Sequence, residues 1–284
     1  MYKKILLICF LFILMLLIPK NKFNEETSYV SSEKKLSYIY LLDNNNYLAK
    51  TDIQVKDEIK DLIDALIIDG PMEENIPSGF KSVINENTKL INYEINNKTL
   101  KLNFNKYLLE DNKDQVIESL VYTLTELEYI DNIILYIDGV IYKDGLLDRS
   151  IGINKIYNIN DLNNVNKVTV YYSKVFNDKT YYVPVTKYLN DNREKITIII
   201  DELNSTSLYT TNLMSFLNQD VKLINCIENN EELILEFNDA ILNSENIILD
   251  EVIYTLIYSI KDNYDVKKVT FLVENKEILK KVLH

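Results

Sequence analysis

The chain repeats itself, and that limits the folds open to it more than any other feature. Slid by 133 positions, KLINYEINNKTLKLNFNKYLL (Lys89–Leu109) lies over KLINCIENNEELILEFNDAIL (Lys222–Leu242), with about 11 of 21 positions identical. The likeness resumes with a shift of 136, where Gln115–Gly139 lies over Glu251–Asn275. The three extra residues fall between the two blocks, where a loop belongs. Upstream, Ser37–Leu42 pairs loosely with Val168–Ser173, and Leu62-Ile63-Asp64 with Ile199-Ile200-Asp201. A unit of about 100 residues is too long for a solenoid repeat and long enough to bury a core of its own. The expected organisation is therefore a tandem of two small domains.

One unit can be read residue by residue. Tyr38–Leu42 is a short β-rich run, Asn44-Asn45-Asn46 a turn, and Tyr47–Val55 a weaker strand. Lys56–Ile68 places Ile59, Leu62, Ile63 and Leu66 on one helical stripe, ended by Asp69-Gly70-Pro71. Ile91, Tyr93 and Ile95, then Leu100, Leu102 and Phe104, alternate with polar residues around Asn96-Asn97, a hairpin pattern that recurs at Asn229-Asn230. Val116, Ile117, Leu120, Val121 and Leu124 form a second helical stripe, repeated by Val252, Ile253, Leu256, Ile257 and Ile260. Apolar runs at Ile133–Ile137 and Val269–Val273 read as central strands. The order β(β)αββαβ argues α+β, with both helices of each copy packed on one face of a mixed sheet. The expected division is an apolar segment at 1–19, a polar tether at 20–36, a first domain at 37–140, a linker at 141–167 and a second domain at 168–284. The linker carries Leu146, Leu147, Ile151, Ile153 and Ile156, so it is expected to lie against a domain.

Lys3 and Lys4 precede an uncharged run from Ile5 to Ile18, closed by Pro19 and followed by Lys20 and Lys22. A charged start and a short apolar run match an export signal. As a helix the run spans about 21 Å, short of the roughly 30 Å hydrocarbon core. No small-x-small cleavage pattern follows, and Ile8 precedes Cys9 where a lipid-attachment site would have a small residue. Two readings stay open: an uncleaved signal anchor, or a signal peptide with a poor cleavage site. Either places residues 23–284 outside the cytoplasm, tethered to the cell membrane or secreted. The only other cysteine is Cys226, so the exported part can form no internal disulfide.

Charge and side-chain inventory exclude much chemistry. Four of the 31 basic residues precede Phe23 and none of the 43 acidic ones does, so from there on the net charge is −16. Such a body repels phosphate backbones, and no nucleic-acid partner is expected. The one histidine is the last residue, which leaves no Ser-His-Asp or Cys-His site and no usual zinc cluster. With five glycines there is no phosphate loop, and no cofactor is expected. Carboxylate pairs are harder to exclude. Glu118, Glu126, Glu128, Asp64 and Asp201 are candidates by being acidic, although solvated acids account for nearly all of them. The 21 tyrosines suit interfaces, but AT-rich codons account for them better. Tyr171-Tyr172 and Tyr181-Tyr182 lie in β-like runs where one ring of each pair should face outward, and these four are the candidate interface residues.

The repeat resembles the GerMN domain, named for spore germination protein M. The first copy carries Gly70-Pro71, Ile76-Pro77-Ser78-Gly79, Leu102-Asn103-Phe104, Thr123-Leu124-Thr125 and Ile133-Ile134-Leu135-Tyr136-Ile137-Asp138-Gly139. The second keeps Tyr182-Val183-Pro184-Val185-Thr186, the hairpin and the last strand, with Asn204-Ser205-Thr206 in place of Gly-Pro. The likeness covers about residues 37–277, and the order of weak motifs, found twice, carries it. It implies a non-enzymatic, membrane-tethered role in sporulation or germination. That role would be the assembly of an envelope complex from modules similar to ring-building ones, with envelope or sporulation proteins as partners and association into a homo-oligomer open. The resemblance carries over no catalytic residue. The alternative is a cell-wall or envelope binding module without a sporulation role.

Overall fold

A computed structural model describes residues 34–143, 145–205 and 212–283. The apolar segment 1–19 with Cys9, most of the tether, Asp144 of the linker, Thr206 and His284 lie outside the described residues. No helix among the described residues is long and apolar enough to cross a membrane.

The first copy runs β1 (Lys35–Leu42), β2 (Leu48–Val55), α1 (Glu58–Leu66), β3 (Leu90–Asn96), β4 (Thr99–Phe104), α2 (Lys113–Leu124), β5 (Asn132–Ile137) and β6 (Val140–Ile141). A linker strand, β7 (Ile156–Asn158), follows. The second copy runs β8 (Asn166–Phe176), β9 (Lys179–Leu189), α3 (Lys195–Leu203), β10 (Leu223–Asn229), β11 (Glu232–Phe237), α4 (Asp250–Asn263), β12 (Lys268–Val273) and β13 (Lys276–Val282). The fold is α+β, built of two tandem units with the same order of elements.

Local chemistry explains the elements. α1 begins where Asp57 accepts a hydrogen bond from Lys60 N at 3.2 Å, and it buries Ile59, Leu62, Ile63 and Leu66. The hairpin turn of β3–β4 falls one residue later than the asparagine pair suggests. Asn96 pairs with Thr99, so Asn97 and Lys98 occupy the turn with φ of 46° and 62°. Two central residues at positive φ match the right-handed twist of the flanking strands. Asn177-Asp178 and Glu274-Asn275 make turns of the same kind in the second copy.

Each copy has its own four-stranded sheet, in the order β3-β4-β5-β6 or β10-β11-β12-β13. The pairs β4/β5 and β11/β12 are parallel, which requires a crossover, and α2 and α4 supply it. The first hairpins behave differently. β1-β2 and β8-β9 join with β7 into one five-stranded sheet shared by the two copies. β8 covers one edge of β9 along its length. The other edge takes β2 through Lys50 and Tyr182, and β7 at Lys187–Leu189. Helical periodicity does not reveal this sharing, because each hairpin is locally complete.

Two hydrophobic cores result. The first gathers β1, α1, α2, β4 and β5 and takes in Ile153 of the linker. The second gathers β8, β9, α3, α4, β11 and β12. Ala49 of β2 belongs to the second core, and Phe80 touches both. The outer edges of the shared sheet are closed by side chains of the helices. Ser119 Oγ donates to Tyr40 O at 2.7 Å, and Tyr40 N donates to Thr123 Oγ1 at 3.0 Å. In the second copy Tyr171 N donates to Ser259 Oγ at 2.9 Å, and Asn263 Nδ2 to Thr169 O at 2.6 Å. An exposed strand edge invites pairing with another chain, and these contacts satisfy its backbone groups instead.

Leu120 and Leu256 sit at matching places in α2 and α4 and are 2 % and 0 % exposed. Leu120→Ala should cost about 2–5 kcal/mol. If the copies were independent, the loss would stay in the first. Because α2 also holds the edge of the shared sheet, hydrogen exchange on this variant should show lost protection in β8 and β9 as well. Unchanged protection there would mean that the copies unfold separately.

Candidate functional site

The described ionisable groups with the deepest burial meet where the copies join. Alternation along β8 explains how. Val168, Val170 and Tyr172 point into the second core, so Tyr171 points the other way, toward the first copy. Its counterpart in the repeat is Tyr40 on β1, and the two hydroxyl oxygens lie 2.9 Å apart. Just beyond α2 and near the end of α4, the repeat places a second matched pair, Glu126 and Asp262. Between them enters Arg149, from the linker.

The arrangement has approximate two-fold character around that guanidinium. Arg149 Nη1 donates to Glu126 Oε1 at 2.9 Å, and Nη2 donates to both Tyr40 and Tyr171 hydroxyls at 2.8 Å. Nε lies 2.8 Å from Asp262 Oδ1, an ion-pair contact whose angle falls outside hydrogen-bond geometry. Tyr40 donates to Glu126 at 2.8 Å and Tyr171 to Asp262 at 3.0 Å. Each hydroxyl thus gives its proton to its own copy's carboxylate and accepts from Arg149. A planar fork with donors in fixed directions suits this task better than an ammonium would.

Two lysines complete the cluster. Lys50 Nζ is 3.0 Å from Glu126 Oε2 and lies over the rings of Tyr38 and Tyr258, 4.2 and 4.0 Å from their centroids. Lys261 Nζ is 3.5 Å from the same oxygen. Burial alone would raise the Glu126 carboxyl, but Lys50, Arg149 and Lys261 outweigh it and hold it well below the usual range. Burial pushes Lys50 down to about 8, with Glu126 opposing. Burial also raises the Tyr40 and Tyr171 hydroxyls well above their ordinary value, so they stay protonated donors.

Further contacts cross the same join. Lys174 Nζ of the second copy reaches Asp43 Oδ2 of the first at 2.7 Å, and both side chains are buried. Asn154 of the linker donates to Leu48 O at 2.8 Å and to Pro184 O at 2.7 Å, tying β2 to β9. At Gly79 (φ 90°) the Phe176 ring of the other copy comes within 2.7 Å of where a Cβ would sit, so only glycine fits there. The linker and both copies therefore act as one framework.

The sequence profile described as Germane, sporulation and spore germination, matches residues 38–143 and 169–279, both copies. The chain belongs to this family. Over 279 residues it is 29% identical to spore germination protein GerM of Bacillus subtilis (strain 168), covering 88% of this chain and 74% of that protein. The solved tandem GerMN domains of the sporulation protein GerM from Bacillus subtilis superpose with a TM-score of 0.75 at 29% identity, over 86% of this chain and 92% of theirs.

In this Germane chain the candidate residues divide. Tyr171 and Tyr172 are 1 % and 0 % exposed, which overturns the expectation that one of them faces outward. The strand is covered on both faces: Tyr171 enters the cluster at the join, and Tyr172 donates to Glu202 of α3 at 3.3 Å. Tyr181 and Tyr182 are half-buried beside a groove. Tyr181 donates to Asp43 at 3.3 Å, and Tyr182 meets Tyr254 at a tilt and Tyr258 edge to face. Of the candidate acids, Glu126 is committed to the cluster and Glu118 to Lys155 at 2.9 Å. Asp201 pairs with Arg193 at the surface. Asp64 is half-buried, and burial raises its carboxyl. Among the described residues no group of His, Cys, Asp and Glu is placed to hold a metal. Arg149 was the residue to notice: one of two arginines in the chain, set between the copies.

Proposed function

We propose that this chain is a non-enzymatic, exported and membrane-tethered protein of sporulation or germination that helps assemble an envelope complex through protein contacts. The observation that carries the proposal is the fate of the buried charges. Glu126, Asp262, Arg149, Lys50 and Lys261 are paired with one another, and Glu126, Asp262 and Arg149 also with tyrosine hydroxyls. A carboxylate held ionised by three cations is a poor general acid, and its contacts leave no vacant position for a substrate. Such a cluster fixes two domains into one body, which is what a scaffold needs. Membership of a sporulation and germination family supports the biological half, and the apolar start of the sequence supports export. Deleting the gene in an endospore-forming host should lower the yield of heat-resistant, germinating spores. Protease added to intact protoplasts should digest residues 23–284, and full protection would overturn export. Normal spores would sink the sporulation reading, and retention on purified peptidoglycan would favour a wall-binding module in its place.

A further inference from the structure

Outside the ion cluster, the join carries a groove that the assembly reading leaves unassigned. β2 and β9 meet at Lys50 and Tyr182 and pair at no other residue. A pocket of about 250 Å³ opens there, walled by Tyr38, Tyr181, Tyr182, Tyr254 and Tyr258 with Lys50 at its floor. It continues past Thr51, Asp52 and Thr180 into a cleft of about 620 Å³ between the two strands, lined also by Pro77, Phe80 and the exposed Lys179, which stands outside the aromatic pocket. Both copies contribute, so the groove exists only in the assembled tandem.

Its outer wall is an aromatic shelf. Tyr254 stacks on Tyr258 with centroids 5.8 Å apart, and Tyr182 meets both, at 5.9 and 5.3 Å. Tyr254 and Tyr38 remain 41 % and 43 % exposed. The rim is acidic. Asp52 lines the groove, and Asp250 and Glu251 stand four and three residues before Tyr254 on α4, on the same face of the helix. No cation of the described chain forms an ion pair with any of these three carboxylates. Lys50 does not neutralise them, since its ammonium is buried and turned to Glu126.

We propose that this groove receives an extended segment of a partner protein that carries lysine or arginine. The cationic head would lie on the Tyr182–Tyr254 shelf, where the faces of the rings attract it, and Asp52, Asp250 and Glu251 would supply the opposite charge. The body's net charge of −16 favours the same partner chemistry at longer range. Arginine suits the site best, because it stacks on an aromatic face while pairing with a carboxylate. The inference deepens the assembly reading and rests on it for the partner's biological role, though not for the binding itself.

Titrating the full chain, in detergent, with a tri-arginine peptide and a tri-glutamate peptide tests this. Tri-arginine should bind and tri-glutamate should not. Tyr254→Ala and Asp52→Asn should each weaken tri-arginine binding about three- to fivefold. Tyr93→Ala with Glu94→Gln, on the exposed strand β3, should leave it unchanged. Equal weakening by the β3 pair would show general attraction to an acidic body and overturn the site, as would full affinity in Tyr254→Ala. Unfolding curves matching the parent chain would show that the exposed substitutions are tolerated. Should the deletion strain form normal spores while the peptide results hold, the sporulation reading fails and the groove stands. Should the deletion strain be defective while Tyr254→Ala binds at full affinity, the groove fails alone.

Discussion

Arg149→Met should be among the most destabilising single substitutions at the join. It leaves Glu126 and Asp262, with side chains 6 % and 2 % exposed, without the guanidinium they share. It also takes the donor from two buried tyrosine hydroxyls. Removing one partner of a buried ion network strands the others in a low dielectric, at a cost of about 3–5 kcal/mol. The linker and both copies lose their common contact, so the loss should appear in one cooperative transition, read as a drop in the urea midpoint. Arg149→Lys should recover only part of it, because an ammonium cannot reach four acceptors in those directions. The acid limb adds a second readout. The Glu126 carboxyl lies well below its unfolded value, so its contribution is present above about pH 4.5 and fades as pH falls toward the folded value. With Arg149 gone, Glu126 titrates closer to normal, and the variant should lose less stability than the parent on acidification. A midpoint unchanged at pH 7 would mean that the network holds nothing together.

Why this residue escaped sequence reading has a physical explanation. Periodicity reports which face of an element is apolar, and it found the stripes of α1, α2 and α4 and the β3–β4 hairpin. It reports nothing on which element lies across a domain boundary. The repeat alignment already paired Tyr40 with Tyr171 and Glu126 with Asp262, yet a matched acid reads as a solvated one until its partner is known. Tyr171-Tyr172 misled for the same reason: alternation demands opposite faces for the two rings, but a strand between a core and a second domain has no outer face. The motifs that pointed to GerMN were local, and the shared five-stranded sheet is not. Arg149 sits in a linker read for its apolar residues, where nothing in spacing marks a buried cation.

Lys50→Met should behave in the opposite way from Arg149→Met. The cluster holds three cations, Lys50, Arg149 and Lys261, against two carboxylates, Glu126 and Asp262. Removing Lys50 balances it, and Glu126 keeps Arg149 and Lys261. A methionine can follow the path of the lysine stem and place its sulfur against Tyr38 and Tyr258. Stability at pH 7 should therefore change by no more than about 1 kcal/mol, since an apolar replacement avoids the cost of burying the ammonium. The sharper test is alkaline. Lys50 titrates at about 8 when folded against an ordinary 10.5, so above pH 8 the unfolded chain holds a proton that the native chain has given up. The Lys50 contribution to stability then rises with pH and should reach roughly 2 kcal/mol by pH 10. From about pH 9 the buried tyrosines oppose this rise in the chain as a whole, because groups such as Tyr40 and Tyr171 keep protons that the unfolded chain loses. Subtracting the urea stability of Lys50→Met from that of the parent at each pH cancels the tyrosines and isolates Lys50. The difference should climb between pH 8 and 10 in favour of the parent. A flat difference, or a loss at pH 7 as large as that of Arg149→Met, would show that Lys50 stays charged and is a necessary third cation on Glu126.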